Sequence, residues 1–216
     1  MNPFNKHYRK QIIEMVLFLF GILIFAFFIG KPGIPVIAGI AGLLLSVVMI
    51  SLRIKAFSDL APVFGFGRLS RVSLYFLVIA GLVGLLLGMI YRNSLHIGMF
   101  PAGLTGFAIV ASLIGATEEL LFRGYLQSGI RRFGLLFSVL AADVAHTSYK
   151  FLFFLSMQAG QEVNLMGLVI WTLSGGVIIG LLKEYSKSTV IPVIAHVIFD
   201  IMVYGDRVIA PWWIWA

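Results

Sequence analysis

Seven ionisable side chains stand inside otherwise apolar sequence: Glu14, Glu118, Glu119, Asp143, His146, His196 and Asp200. A charge at bilayer depth costs at least about 2.5–3.5 kcal/mol on insertion scales, so such residues are paired, functional, or both. Glu14 lies near the end of its apolar run and can reach the interface, so it carries no expected role. Glu119 and Arg123 are four residues apart with the acid first, the better order for a helical ion pair. Glu118 projects about 100° away from Glu119 on the same helix and has no local partner. His196 and Asp200 repeat the four-residue spacing, so the aspartate can orient the imidazole. Asp143 and His146, three apart, are a weaker pair. A carboxylate with two imidazoles can activate a water as general base and stabilise the oxyanion that follows. It can equally hold a divalent metal whose bound water attacks. Both routes are hydrolysis. No serine with a paired base stands out, since Thr147 and Ser148 follow His146 too closely to share its helix face. The chain has no cysteine, which removes thiolate catalysis and disulfides.

These residues need helices to carry them. The chain of 216 residues is 60% hydrophobic and 12% charged, against about 25% charged in a soluble domain. Its mean hydropathy is +1.02. The expected architecture is an all-α, polytopic transmembrane bundle of about seven spans (six to eight), forming one integral membrane domain over 1–216. The spans are read as 12–30, 34–52, 72–91, 103–128, 133–155, 165–182 and 189–204. The first is too long and bulky for a signal peptide, and no small-residue cleavage site follows it. Gly84–Gly88 and Gly176–Gly180 are small-xxx-small pairs that let helices approach closely. Trp212, Trp213 and Trp215 suggest an interfacial anchor, with an eighth half-span as the alternative. Glu118, His146 and His196 lie ten, thirteen and eight residues from Ser128, Phe133 and Ser188. At 1.5 Å per residue they reach about 15, 20 and 12 Å into the membrane from one side, a shared layer.

Charge sets the orientation. With the N-terminus in the cytoplasm, eleven of the 16 basic residues fall in inner segments. Four fall outside (Lys31, Arg92, Lys150, Arg207), and Arg123 lies within a span. That is the bias the positive-inside rule demands. The net charge of +7 therefore reads as loop anchoring. Nucleic-acid binding is not expected, because no basic stripe or stacking platform accompanies the charge.

Glu118-Glu119-Leu-Leu-Phe-Arg123-Gly124 resembles the EExxxR motif of the CPBP intramembrane proteases, the CAAX-protease and bacteriocin-processing (Abi) family, and is similar to type II CAAX prenyl endopeptidases. His146, then His196-x-x-x-Asp200, match the remaining motifs in order, over a catalytic core of approximately 100–205. The family's usual phenylalanine four residues before the first histidine is replaced by Ala142, a packing position. The resemblance implies an intramembrane endopeptidase. Glu118, helped by His146, would polarise water; His196 with Asp200 would stabilise the oxyanion; Glu119 and Arg123 would support the site. The implied substrate is a membrane-embedded or lipidated peptide in the bilayer, and the implied setting a prokaryotic cell membrane. No cofactor is preferred, while zinc on Glu118, His146 and His196 stays open. The competing readings are a non-enzymatic immunity or scaffold protein and a small proton or metal transporter.

Overall fold

A computed structural model describes residues 3–67, 71–156 and 164–206. Among them the regular structure is helical: α1 (Pro3–Phe28), α2 (Ile34–Ser51), α3 (Leu60–Val63), α4 (Arg71–Ser94), α5 (Gly106–Glu119), α6 (Ser128–Ile130), α7 (Leu135–Ser156), α8 (Leu165–Ser186) and α9 (Val190–Tyr204). A π-helical segment, Leu120–Gln127, joins α5 to α6 in one continuous rod. The Trp cluster and the eighth half-span lie outside the described residues.

Local signals explain the ends. Thr105 caps α5 by accepting from the Ala108 amide, and Asn164 caps α8 by accepting from that of Gly167. Pro35 and Pro192 fall in the first turns of α2 and α9, where the missing amide costs nothing. Gly134, at φ 113°, turns the chain into α7 through a conformation other residues avoid.

The rods run between two ends. At one, Gly65 accepts from the Thr189 amide at 3.0 Å, Gln11 donates to the Gly129 carbonyl, and Arg132 donates to that of Tyr8. At the other, the Thr105 amide donates to Gly205 at 2.9 Å, and Arg92 ties residues 98–100 to the end of α9. Four helical stretches are long and apolar enough to cross a membrane: Tyr8–Phe28, Ile34–Ser51, Leu74–Ser94 and Leu165–Ser186. The expected seven spans are therefore matched in part. The shortfall is physical: α9 is a shorter apolar helix, the α5 rod changes hydrogen-bond pattern midway, and α7 carries Asp143, His146 and Lys150.

Lipid tails are as apolar as leucine, so close backbone approach and buried hydrogen bonds must hold such rods together. Ser46 of α2 donates to the Phe18 carbonyl of α1 at 3.0 Å. Both expected glycine pairs serve as contacts. A Cβ on Gly84 would strike the Ala195 carbonyl of α9, and one on Gly88 would sit 2.5 Å from Met202 Cβ. Gly176 and Gly180 of α8 face Asp143 and Val139 of α7. An aromatic cluster of Phe18, Phe122, Tyr125 and Phe153 packs on one side of the polar centre, and Ala80, Leu182, Ile191 and Ala195 pack as a second apolar cluster. Ala142 is fully buried in the first cluster, the packing position expected of it.

Candidate active site

Three rods meet at the centre. The end of α5 supplies Glu118 and Glu119, and the π-helical segment supplies Arg123. On α7, Asp143, His146 and Lys150 recur at three and four residues and share a face. His196 and Asp200 come from α9. Single-turn π insertions are frequent at functional sites. Here the segment begins directly after the two glutamates. Two glycines make room: a Cβ on Gly115 would come within 2.9 Å of the His196 ring and strike Asp200, and one on Gly176 would strike Asp143.

Arg123 is the hub. It is 1% exposed and uses its whole guanidinium. Nε lies 3.5 Å from Glu119 Oε2, Nη2 donates to Asp143 Oδ1 at 3.2 Å, and Nη1 donates to His146 Nδ1 at 2.9 Å. The expected Glu119–Arg123 pair is present. Asp143 and His146 meet through this arginine rather than directly.

A guanidinium has only donors, so Nδ1 of His146 must accept. The ring proton is then on Nε2, which donates to Glu118 Oε2 at 3.2 Å. His146 thus has no free lone pair in this arrangement, and it holds the carboxylate. Glu118 differs from its expected solitude. The Lys150 ammonium sits 3.1 Å from the same Oε2. Lys150, inside the fifth expected span (133–155) but counted with the outer charges, lies within α7, one turn past His146. Glu118 Oε1 is buried without a hydrogen-bond partner.

His196 is also held differently from expectation. Its Nδ1 donates to Glu119 Oε1 at 2.8 Å, whereas Nε2 lies 3.8 Å from Asp200 Oδ2. Glu119 therefore orients the imidazole from a distant helix, and Asp200 stands beside the nitrogen left available. Sequence spacing points to the partner four residues away; nothing local marks a partner 77 positions distant. Lys150 is legible in principle, since 143, 146 and 150 fit one helix face.

Two cavities flank the cluster. The larger, about 120 Å³, has apolar walls including Leu87, Tyr91, Leu168 and Trp171 and a polar floor of Glu119, Arg123, His146, Lys150 and His196. The smaller, about 20 Å³, is bordered by Glu118, Lys150, His196 and Asp200. A water needs roughly 10–15 Å³ of such volume and polar partners, and the smaller cavity supplies both. Lys150 and His196 border both spaces.

The residues expected as zinc ligands do not fit a metal in this arrangement. Both nitrogens of His146 are engaged, Nδ1 of His196 is taken by Glu119, and an ammonium already stands on Glu118. Among the described residues no group of three His, Asp or Glu side chains is placed to hold a metal ion.

Residues 100–202 match the family model described as type II CAAX prenyl endopeptidase Rce1-like. The chain is thus similar to that family over a little under half of its length. The match begins ahead of α5 and runs into α9, so it takes in every residue of the cluster and leaves α1, α2 and α4 outside. The matched family is one of CAAX-type proteases, and four helical stretches of this chain are long and apolar enough to cross a membrane. No curated protein and no solved structure matches the chain.

Proposed function

We propose that the protein is an intramembrane endopeptidase that hydrolyses a peptide bond in a membrane-embedded or lipidated peptide, using a water activated by Glu118. The observation that carries this is the free Oε1 of Glu118, buried beside a water-sized cavity shared with His196 and Asp200. His146 and Lys150 occupy Oε2, so Oε1 is the oxygen able to take the water's proton. The water oxygen attacks the scissile carbonyl carbon, and its proton passes to Oε1. Glu118 later returns that proton to the leaving amine as the C–N bond breaks. His196, doubly protonated, has Glu119 as acceptor on Nδ1 and Asp200 beside Nε2, and presents Nε2–H to the oxyanion. Asp200 supports that cation. Arg123 holds Glu119 and His146 in register. The apolar walls of the larger cavity suit a lipid-modified or membrane-buried segment.

The test is cleavage of a prenylated CAAX-type peptide by purified protein in detergent or vesicles. Glu118→Gln keeps the shape but removes the base, so hydrolysis falls at least about 100-fold while the protein still extracts as a monodisperse species. Retained activity in that variant defeats the assignment. Full activity in chelator-washed protein with negligible metal supports the metal-free route, and one zinc per chain with activity that follows it overturns that route.

The same reading places the end that carries Arg53, Lys55, Arg131, Arg132 and Lys187 in the cytoplasm. The chain lacks cysteine, so single introduced thiols report cleanly. Ser58→Cys labels only from the cytoplasm and Asn93→Cys only from outside. The reversed pattern refutes the orientation.

A further inference from the structure

Lys150 belongs to none of the motifs through which the sequence announces its chemistry, yet the fold delivers it to the centre of the site. We propose that Lys150 is a positioning residue for water activation: with His146 it clamps Oε2 of Glu118 and thereby turns Oε1 to the small cavity. This rests on the peptidase reading above.

The terminal torsion of a glutamate is broad and roughly two-fold, so a single donor leaves the carboxylate free to swing. A hydrogen-bond donor and a cation on the same oxygen hold that oxygen in place. His146 Nε2 stands 3.2 Å and Lys150 Nζ 3.1 Å from Oε2, and Oε1 receives no hydrogen bond. The two donors lie one turn apart on α7, so one rigid element sets both. The lysine contact is an ion pair across 3.1 Å. Arg123 cannot substitute, because its guanidinium is engaged by Glu119, Asp143 and His146. Lys150 is 16% exposed at its side chain and borders both cavities.

The experiment compares wild type, Glu118→Gln, Lys150→Met, Lys150→Arg and Lys150→Ala on one prenylated peptide, with kcat, KM and melting temperature read for each. Methionine keeps the stem and loses the donor. A misplaced reacting group can cost on the order of 100-fold, so kcat of Lys150→Met falls roughly 10- to 100-fold while KM stays within about twofold. Lys150→Arg restores much of kcat, and added ethylamine restores Lys150→Ala. A packing role would respond to neither the arginine nor the amine. Wild-type kcat in Lys150→Met overturns the proposal, as does equal loss in the methionine and arginine variants with lowered melting. Where Lys150→Met does not extract as folded protein, the amine response of Lys150→Ala decides. If Glu118→Gln is inactive and Lys150→Met normal, this proposal alone falls. If wild type cleaves nothing, the peptidase reading falls and takes this one with it.

Discussion

Among the described residues two arginines are almost completely buried, and they do opposite things. Arg92, 2% exposed, donates to the carbonyls of Gly98, Phe100, Met202 and Val203 and pairs with Asp206 at 2.8 Å. Arg123, 1% exposed, donates to titratable side chains alone. The first satisfies backbone groups at the end of the bundle and ties a loop to α9. The second fixes the tautomer of one histidine and balances two acids at the centre. A guanidinium held mainly by backbone carbonyls is an anchor, with Asp206 as its titratable partner. One surrounded by acids and an imidazole sets the protonation pattern of the polar cluster around it. Burial alone does not distinguish them; the chemistry of the acceptors does.

The largest effect is expected at the central arginine. Arg123→Ala leaves Glu119 and Asp143 without their cation in a low-dielectric layer, and removing one partner of a buried pair costs about 3–5 kcal/mol. The variant loses both activity and thermal stability in detergent. An unchanged melting temperature refutes the structural half of Arg123's role, and wild-type hydrolysis refutes the other.

Arg92→Ala is the milder counterpart. It deprives several carbonyls of a donor at an end where water can take over, so about 1–3 kcal/mol of stability goes. Hydrolysis per folded molecule stays within about tenfold of wild type, as the reacting groups keep their contacts. A loss of activity as deep as that of Arg123→Ala would erase the distinction between the two arginines.

Asp206→Asn is the smallest change. Arg92's hydrogen bonds hold the Asp206 carboxyl down at about 2, below its ordinary value of 3.8. A depressed folded-state value means its stabilisation is present above about pH 4 and fades as pH falls toward 2. The pair is partly exposed, so its contribution is modest. Melting curves of wild type and Asp206→Asn therefore differ slightly at pH 6 and converge near pH 2. Curves that diverge as acid is added would show that the pair does not behave as an ion pair.

Much of the molecule is legible in the order of its residues. Long apolar runs make helices in a bilayer because every backbone amide must be satisfied within its own segment. Glu118, His146 and His196 share a layer because 1.5 Å per residue converts spacing directly into depth. Gly84 and Gly88 mark a helix contact because only a missing Cβ permits that approach. Spacing also finds Glu119–Arg123, a partner within one turn. It fails wherever the partner comes from another rod. Glu119 rather than Asp200 grips His196, and Lys150, counted with the outer loops, reaches Glu118. The π-helical segment at Leu120–Gln127 has no visible signature either. Sequence by itself determined which residues had to leave lipid and at what depth, since those follow from polarity and helical rise. Tertiary structure alone decided who partners whom, because hydrogen bonds reach only about 3 Å and the rotation of each rod about its axis selects which side chains come that close.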